Sequence, residues 1–421
     1  MLENNNQVVQ TMKKKWNVFV LVPAILLVTV LVIFSVFWRQ TDIPKLYLDG
    51  DLTGMVDKKD ERKISFSYDD GSEKISGYAL IKIQGTSSLQ YEKKNYTLKF
   101  YEDAEYTNKL KLDVGWGPQS KYCMKANWID RTHARNVVSA RLVSQMQEKY
   151  GLMTDAPRNG AVDGFPVEIY SNGHFLGLYT FNIPKDDWQF AMDSDNPDHI
   201  VIGGEGWDAA NYFLDMPDFD TWAVEVREEN DATLEKMNRL FAFILNSTDE
   251  EFRGHFTEYL DLDAALNYYV FSDIAYLKDN LGKNMLIATY DGSKWFLSLY
   301  DLDSSWGTET NGKALFHYEE ELLDLSRSNL FARLETCFPT ELAQRYFELR
   351  EDVLSNENIL DTFRSFREEI PPLTFVKEYI RWGSGVIRKP EDLPGYDYDQ
   401  IEAYLASVTQ RLDEKYAEML K

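Results

Sequence analysis

Asp279 is followed five residues later by Asn284, and then by two apolar runs, Met285–Tyr290 and Lys294–Tyr300, joined at Asp291-Gly292. An Asp-Gly pair between two such runs predicts a tight hairpin. The hairpin delivers the chain to Asp301-Leu302-Asp303. A carboxylate, an amide, a hairpin and one or two further carboxylates is the order used by phosphoryl-transfer sites of the protein-kinase type. There an Asp takes the proton of the acceptor hydroxyl, while an Asn and a later Asp hold the metal ions that bridge the nucleotide phosphates.

The elements around these residues have to place them at one cleft. Asp263 reads as the cap of a helix running to Lys278, so Asp279 stands at a helix exit beside a strand start. A general base there can reach an acceptor hydroxyl. Asn284 offers a neutral oxygen suited to a hard cation, and magnesium takes one or two protein carboxylates. Asp301 and Asp303 are two apart and share a face if the strand continues. One would bind metal directly, the other through water or to a neighbouring donor. An Asp and an Asn at this spacing are common by themselves; the hairpin and the Asp-Leu-Asp run add the specificity.

Upstream, strand-like runs are expected at Lys45–Leu48, Ile64–Tyr68, Ala79–Gln84, Asn95–Tyr101 and Tyr122–Ile129. Gly85-Thr86-Ser87-Ser88 forms a small-residue turn whose backbone N–H groups suit a phosphate, although an ordinary turn has the same composition. Asp130 reads as the N-cap of a helix from about Arg131 to Tyr150, with Gly151 as its stop. Arg135 and Asn136 fall in its first turns; Arg135 would meet a phosphate, a carboxylate or a surface partner. Pro166–Tyr170 and Leu176–Phe181 make a second hairpin at Asn172-Gly173, and Pro184 ends the unit. From Asp186 the pattern turns helical: Ala232–Asn246, Glu250–Glu258, Asp263–Lys278, Glu341–Leu354, Ile359–Glu369 and Ile401–Lys421, with Ala191–Trp207 and Gly307–Asp324 as loops. The expected fold is α+β and bilobal, in the manner of an atypical protein kinase, with a β-rich N-lobe over 64–185 and a mainly helical C-lobe over 186–421.

Residues 1–16 are polar and end in Lys13-Lys14-Lys15, and Asn17–Trp38 runs for 22 residues without a charge. As a helix this is about 33 Å long, enough to cross a hydrocarbon core. The lysines precede it and only Arg39 follows closely, so the charge rule predicts a cytoplasmic N-terminus, a single-pass transmembrane helix over 17–38, a juxtamembrane segment over 39–63 and an extracellular catalytic domain. A cleaved signal peptide fits less well, because the apolar region is too long and no small-residue cleavage site follows. The net charge of −24 argues against nucleic acid as a partner. Two cysteines, Cys123 and Cys337, do not make a disulfide framework, and two separate thiols are expected.

The chain resembles the CotH family, the spore-coat kinases of bacteria that are similar to distant protein kinases, from about Pro44 to Leu354. The residues that carry the resemblance are Gly85-Thr86-Ser87-Ser88 with Lys93, Tyr96 and Lys99; Asn127-Trp128-Ile129-Asp130 with Arg135-Asn136; Asn172-Gly173 with Gly177-Leu178-Tyr179; Asp279 with Lys283-Asn284; and Asp301-Leu302-Asp303 with Gly307. The resemblance implies transfer of the ATP γ-phosphate, with Mg²⁺ or Mn²⁺, to Ser or Thr hydroxyls of a cell-envelope or coat protein. By it Asp279 is the base, and Asn284 and Asp301 are metal ligands with Asp303 in reserve. The phosphate-binding side chains would come from Lys93, Lys99, Lys125, Arg135, Ser87 and Ser88. Lys93 and Lys99 share a strand face, and Lys125 precedes the long helix as the third-strand Lys of a kinase does. Leu277-Lys278 stands where a kinase has His-Arg, and no Asp-Phe-Gly follows. The rival readings are a catalytically silent structural or adhesion protein and, from ten Trp and 25 Tyr, a polysaccharide-binding module.

Overall fold

Alternation of apolar and polar residues builds the first half of the chain into strands: β1 (Lys45–Asp49), β2 (Glu61–Asp69), β3 (Lys74–Gln84), β4 (Asn95–Tyr101), a minor pair β5 (Leu112–Asp113) and β6 (Pro118–Gln119), then β7 (Lys121–Lys125), β8 (Gly164–Ser171) and β9 (His174–Asn182). In β2, Ile64, Phe66 and Tyr68 turn inward while the residues between them stay partly exposed, the period-2 pattern of a half-buried strand. These strands close on themselves in the order β1-β2-β3-β4-β7-β9-β8, and the parallel pairing of β1 with β8 completes the barrel. The barrel has its own apolar core, including Ile81, Leu98, Met124, Tyr179 and Phe181. The computed structural model describes residues 43–313, 315, 321–383 and 398–421.

The long helix after β7, α1 (Arg135–Lys149), begins later than Asp130 predicts. His133 adopts a left-handed backbone with φ 55° and interrupts the turn. Asp130 still serves the helix start: its carboxylate accepts the backbone N–H groups of Thr132 at 3.1 Å and Arg135 at 2.8 Å.

The second half contains a four-stranded sheet and most of the helices. Its strands β10 (Ile200–Gly204), β11 (Trp222–Val226), β12 (Met285–Thr289) and β13 (Trp295–Leu299) lie in the order β11-β10-β12-β13. The hairpin at Asp291-Gly292 forms as its turn residues dictate, with Met285 opposite Leu299 and Thr289 opposite Trp295. Strand β10 falls within Ala191–Trp207, expected as a loop, and β11 is a strand beyond those expected. The helices are α2 (Asp231–Asn246), α3 (Asp249–Tyr259), α4 (Leu262–Ala275), α5 (Asn329–Cys337), α6 (Pro339–Arg350), α7 (Asn356–Glu368), α8 (Pro372–Trp382) and α9 (Tyr398–Met419). Every residue of α4 from Ala264 to Ala275 is buried, with α1, α6, α9 and β13 packed around it. The fold class is α+β, with one core inside the barrel and a second running through α1 and the helices.

The expected single-pass anchoring is corrected here. No helix among the described residues is long and apolar enough to cross a membrane. The longest, α9, has 22 residues and carries Asp399, Glu402, Arg411, Asp413, Glu414, Lys415 and Glu418. The stretch Asn17–Trp38, on which that expectation rests, lies outside the described residues. Cys123 and Cys337 are both buried free thiols.

Candidate functional site

A cleft of about 570 Å³ separates the barrel from the second sheet. The β3–β4 turn contributes Gly85, Thr86 and Ser88, the end of β7 contributes Lys125, Asn127 and Trp128, and the far wall carries Asp279, Lys283, Asn284, Tyr300, Asp301 and Asp303. The structure therefore brings Asp279, Asn284, Asp301 and Asp303 to one surface.

Local geometry explains each position. Helix α4 stops at Ala275 rather than Lys278, because Tyr276 turns left-handed at φ 56°. Asp279 then opens a short turn, Asp279–Leu281, which is tied down twice: the Tyr268 hydroxyl donates to Asn280 O at 2.6 Å, and the Asn280 side chain donates to Tyr300 O at 2.7 Å. Asn284 has φ 62° and donates its backbone N–H to Gly204 O at 3.0 Å. A Cβ on Gly204 would lie 2.0 Å from Gly282 O, so glycine is required where β10 crosses this loop. The Asp301 end is held by α1. Leu302 N donates to Asn136 Oδ1 at 3.0 Å, and the Trp306 indole donates to Ser139 Oγ at 2.8 Å.

The electrostatics are those of a strained anionic pair facing cations. Lys125 Nζ lies 3.1 Å from Asp301 Oδ1 and 3.4 Å from the Tyr300 hydroxyl. Burial would lower the Lys125 ammonium, but Asp301 and Tyr300 hold it well above its ordinary value. Burial would raise the Asp301 carboxyl, yet Lys125, Lys283 and Lys185 outweigh it and keep it low. Asp303 goes the other way: burial and then the neighbouring Asp301 push its carboxyl well above the usual range. Burial also pushes Asp279 up, with Lys283 and a hydrogen bond from Trp207 acting against it.

Among the described residues no group of three or more His, Cys, Asp and Glu side chains is spaced to hold a metal. The donor set that is present, two carboxylates and an amide, is all oxygen, as a hard cation requires, and leaves room for phosphate oxygens and water. A cation there would relieve the repulsion that raises Asp303.

The other expected residues fare differently. Lys125 faces the cleft wall that carries Asp301. Lys93 lines the cleft only with its stem; its ammonium is buried, lies 2.6 Å from Glu378 Oε1 and donates to Ala126 O and Leu178 O. A lysine so occupied has no donor left for a phosphate. Lys99 lies on the outer face of the barrel, away from the cleft, because Leu98 and Phe100 on either side of it point into the barrel core. Arg135 is fully buried, donates to Asp130 Oδ1 at 2.7 Å and Ser305 O at 3.0 Å, and so braces the loop after Asp303 instead of reaching a ligand. Ser88 sits on the β3–β4 turn, accepts from Asn95 at 3.2 Å and packs against Gly85, where a Cβ would come within 1.8 Å of its hydroxyl. Ser87 opens the short turn Ser87–Gln90.

Sequence reasoning missed Lys185, Trp207 and Tyr300. Lys185 pairs with Glu225 and sits 4.8 Å from the Tyr300 ring, which Lys125 approaches to 5.0 Å. Lys283 lies 4.4 Å over the Trp207 ring at the cleft mouth. The signal for Lys185 was its place directly after Pro184; Trp207 had none.

A family model described as CotH kinase protein matches residues 81–391, most of the chain. No curated protein matches it.

Proposed function

The chain belongs to the CotH kinase family, and we propose that its cleft transfers the γ-phosphate of ATP to a Ser or Thr hydroxyl of a coat or other protein substrate. Kinase membership implies nucleotide and divalent metal use in general. The finer reading takes the barrel as the N-lobe and the second sheet with its helices as the C-lobe of a kinase-like, bilobal catalytic unit. The observation that carries it is the ion pair from Lys125 on the barrel to Asp301 on the opposite wall, with Asp279 and Asn284 beside it.

In this reading Asp279 accepts the proton of the acceptor hydroxyl. Burial raises its carboxyl, with Lys283 acting against it, so it holds a proton better than an exposed Asp would. Lys125 and Lys185 flank Tyr300 and supply positive charge for the phosphates. The β3–β4 turn covers the phosphates with backbone N–H groups. Asn284, Asp301 and Asp303 would hold Mg²⁺ or Mn²⁺, which when bound supplies charge neutralisation for the phosphate oxygens.

The test is transfer from labelled ATP with Mg²⁺ or Mn²⁺ to a Ser-rich peptide by the full chain. Incorporation that Asp279→Ala removes supports the reading; equal incorporation by the variant, or none by the wild type, opposes it. A second reading, a catalytically silent coat protein, draws on the lack of a closed acidic metal cage among the described residues. Stabilisation by nucleotide that Asp301→Ala abolishes would exclude it.

A further inference from the structure

Lys99 leads to a second groove, of about 550 Å³, on the outer face of the barrel. Four lysines line it: Lys99, Lys109, Lys111 and Lys121. Lys99 and Lys121 stand directly opposite each other in the β4–β7 ladder. Lys109 pairs across from Tyr101, which shares a strand face with Lys99. Like charges placed opposite one another on a sheet repel. Lys121 has a partner, Asp186 at 3.0 Å. The nearby Asp187 carboxylate is engaged by the backbone of Trp188 at 2.9 Å. Among the described residues no acid pairs with Lys99, Lys109 or Lys111.

Three unpartnered ammoniums on one groove are the reverse of what this chain offers by default, with 69 acidic against 45 basic residues. The arrangement keeps cations together and leaves them unneutralised, which is the footprint of an anionic ligand. At about 550 Å³ the groove is too large for one small ion, and Trp188 and Tyr101 give it apolar surface for an extended chain. Lysine ammoniums act as point charges for phosphate, and a phosphoserine carries nearly two negative charges. Two such groups would neutralise the three free lysines.

We propose that this groove binds a phosphorylated peptide segment, with Lys99, Lys109 and Lys111 contacting its phosphates. It is separate from the cleft: no residue lines both. The reaction proposed above would supply such segments, but the groove's binding does not depend on turnover.

The experiment is fluorescence anisotropy of the full chain with a labelled Ser-rich peptide carrying two phosphoserines, beside the same peptide without phosphate. The phosphopeptide binds, the plain peptide does not, and Lys99→Ala/Lys109→Ala/Lys111→Ala weakens binding about tenfold or more. Added salt weakens it too. Asp301→Asn, which removes the proposed transfer, and saturating ATP both leave binding unchanged, so an inactive chain still tests the groove. Wild-type affinity in the triple variant, no binding of the phosphopeptide, or displacement by ATP would overturn the proposal. So would displacement by inorganic phosphate at the peptide's own concentration, which would reduce the groove to an unspecific anion patch.

Discussion

Of the lysine–carboxylate pairs that join the barrel to the rest of the chain, Lys93–Glu378 and Lys125–Asp301 are built to different ends. Lys93 and Glu378 form a sealed clamp. Lys93 is 1% exposed, and Glu378 also accepts the backbone N–H of Leu178 at 2.7 Å. The same helix, α8, ties down the barrel at two more points: Thr374 and Lys377 reach Glu168 at 2.6 and 2.9 Å, and the Trp382 indole donates to Leu176 O at 2.7 Å. Lys125 and Asp301 form an open pair. The Asp301 side chain keeps 34% of its surface, its backbone is left-handed at φ 57°, and a second carboxylate crowds it. A pair whose hydrogen bonds are all satisfied stabilises a contact between elements. A pair left crowded and accessible is ready to exchange one partner for a ligand.

The two pairs should trade activity and stability in opposite ways. The largest effect is expected for Lys125→Met, which should lower phosphate transfer by about 10²–10³-fold while costing less stability than Glu378→Ala, because the Asp301 it leaves behind is partly exposed. Transfer kinetics beside a melting curve would check it, and a large stability loss with intact transfer would erase the distinction. Next, Glu378→Ala strands a buried ammonium and should cost about 3 kcal/mol by denaturant unfolding. Adding Lys93→Met should recover part of that loss, since the unpaired charge is gone. Asp303→Asn should do the reverse of Glu378→Ala, raising the melting temperature by about 2 °C at neutral pH while abolishing metal-dependent transfer.

The smallest effect is in pH. Asp303 has a folded value above its unfolded one, so the native state holds a proton that the unfolded chain has lost. Stability should therefore fall as pH rises from the ordinary Asp range through the raised folded value. Asp301 acts in the opposite sense: its stabilisation is present above the ordinary Asp range and is lost as pH falls through its lowered folded value. Unfolding of Asp303→Asn across this range should show the first dependence removed and the second kept. Stabilisation by Mn²⁺ should grow with pH in the wild type as Asp303 ionises.

The acidic wall of the cleft was legible in the sequence because its members are close in the chain. Asp279, Asn284, the Asp291-Gly292 turn and Asp301 lie within one supersecondary unit, so spacing and turn chemistry place them. The choice among the lysines was not legible, because it depends on distant partners. Lys93 is withdrawn from the cleft by Glu378, 285 residues away, and Lys125 is assigned to it by Asp301, 176 residues away. Helix α8 itself was hidden by Pro371-Pro372, which reads as a breaker although proline suits a first helical turn. Strand β10 was hidden by Gly203-Gly204, a pair that reads as a loop until the Gly282 backbone is seen against it.

The most direct test is manganese anomalous scattering from crystals of the full chain grown with Mn²⁺ and a non-hydrolysable ATP analogue. A manganese peak is expected in the cleft, coordinated by side-chain oxygens of Asp301 and Asn284, with Asp303 at it or one water away and Lys125 on a phosphate. Manganese or nucleotide bound elsewhere, or Lys93 released from Glu378 to hold the phosphates, would contradict it.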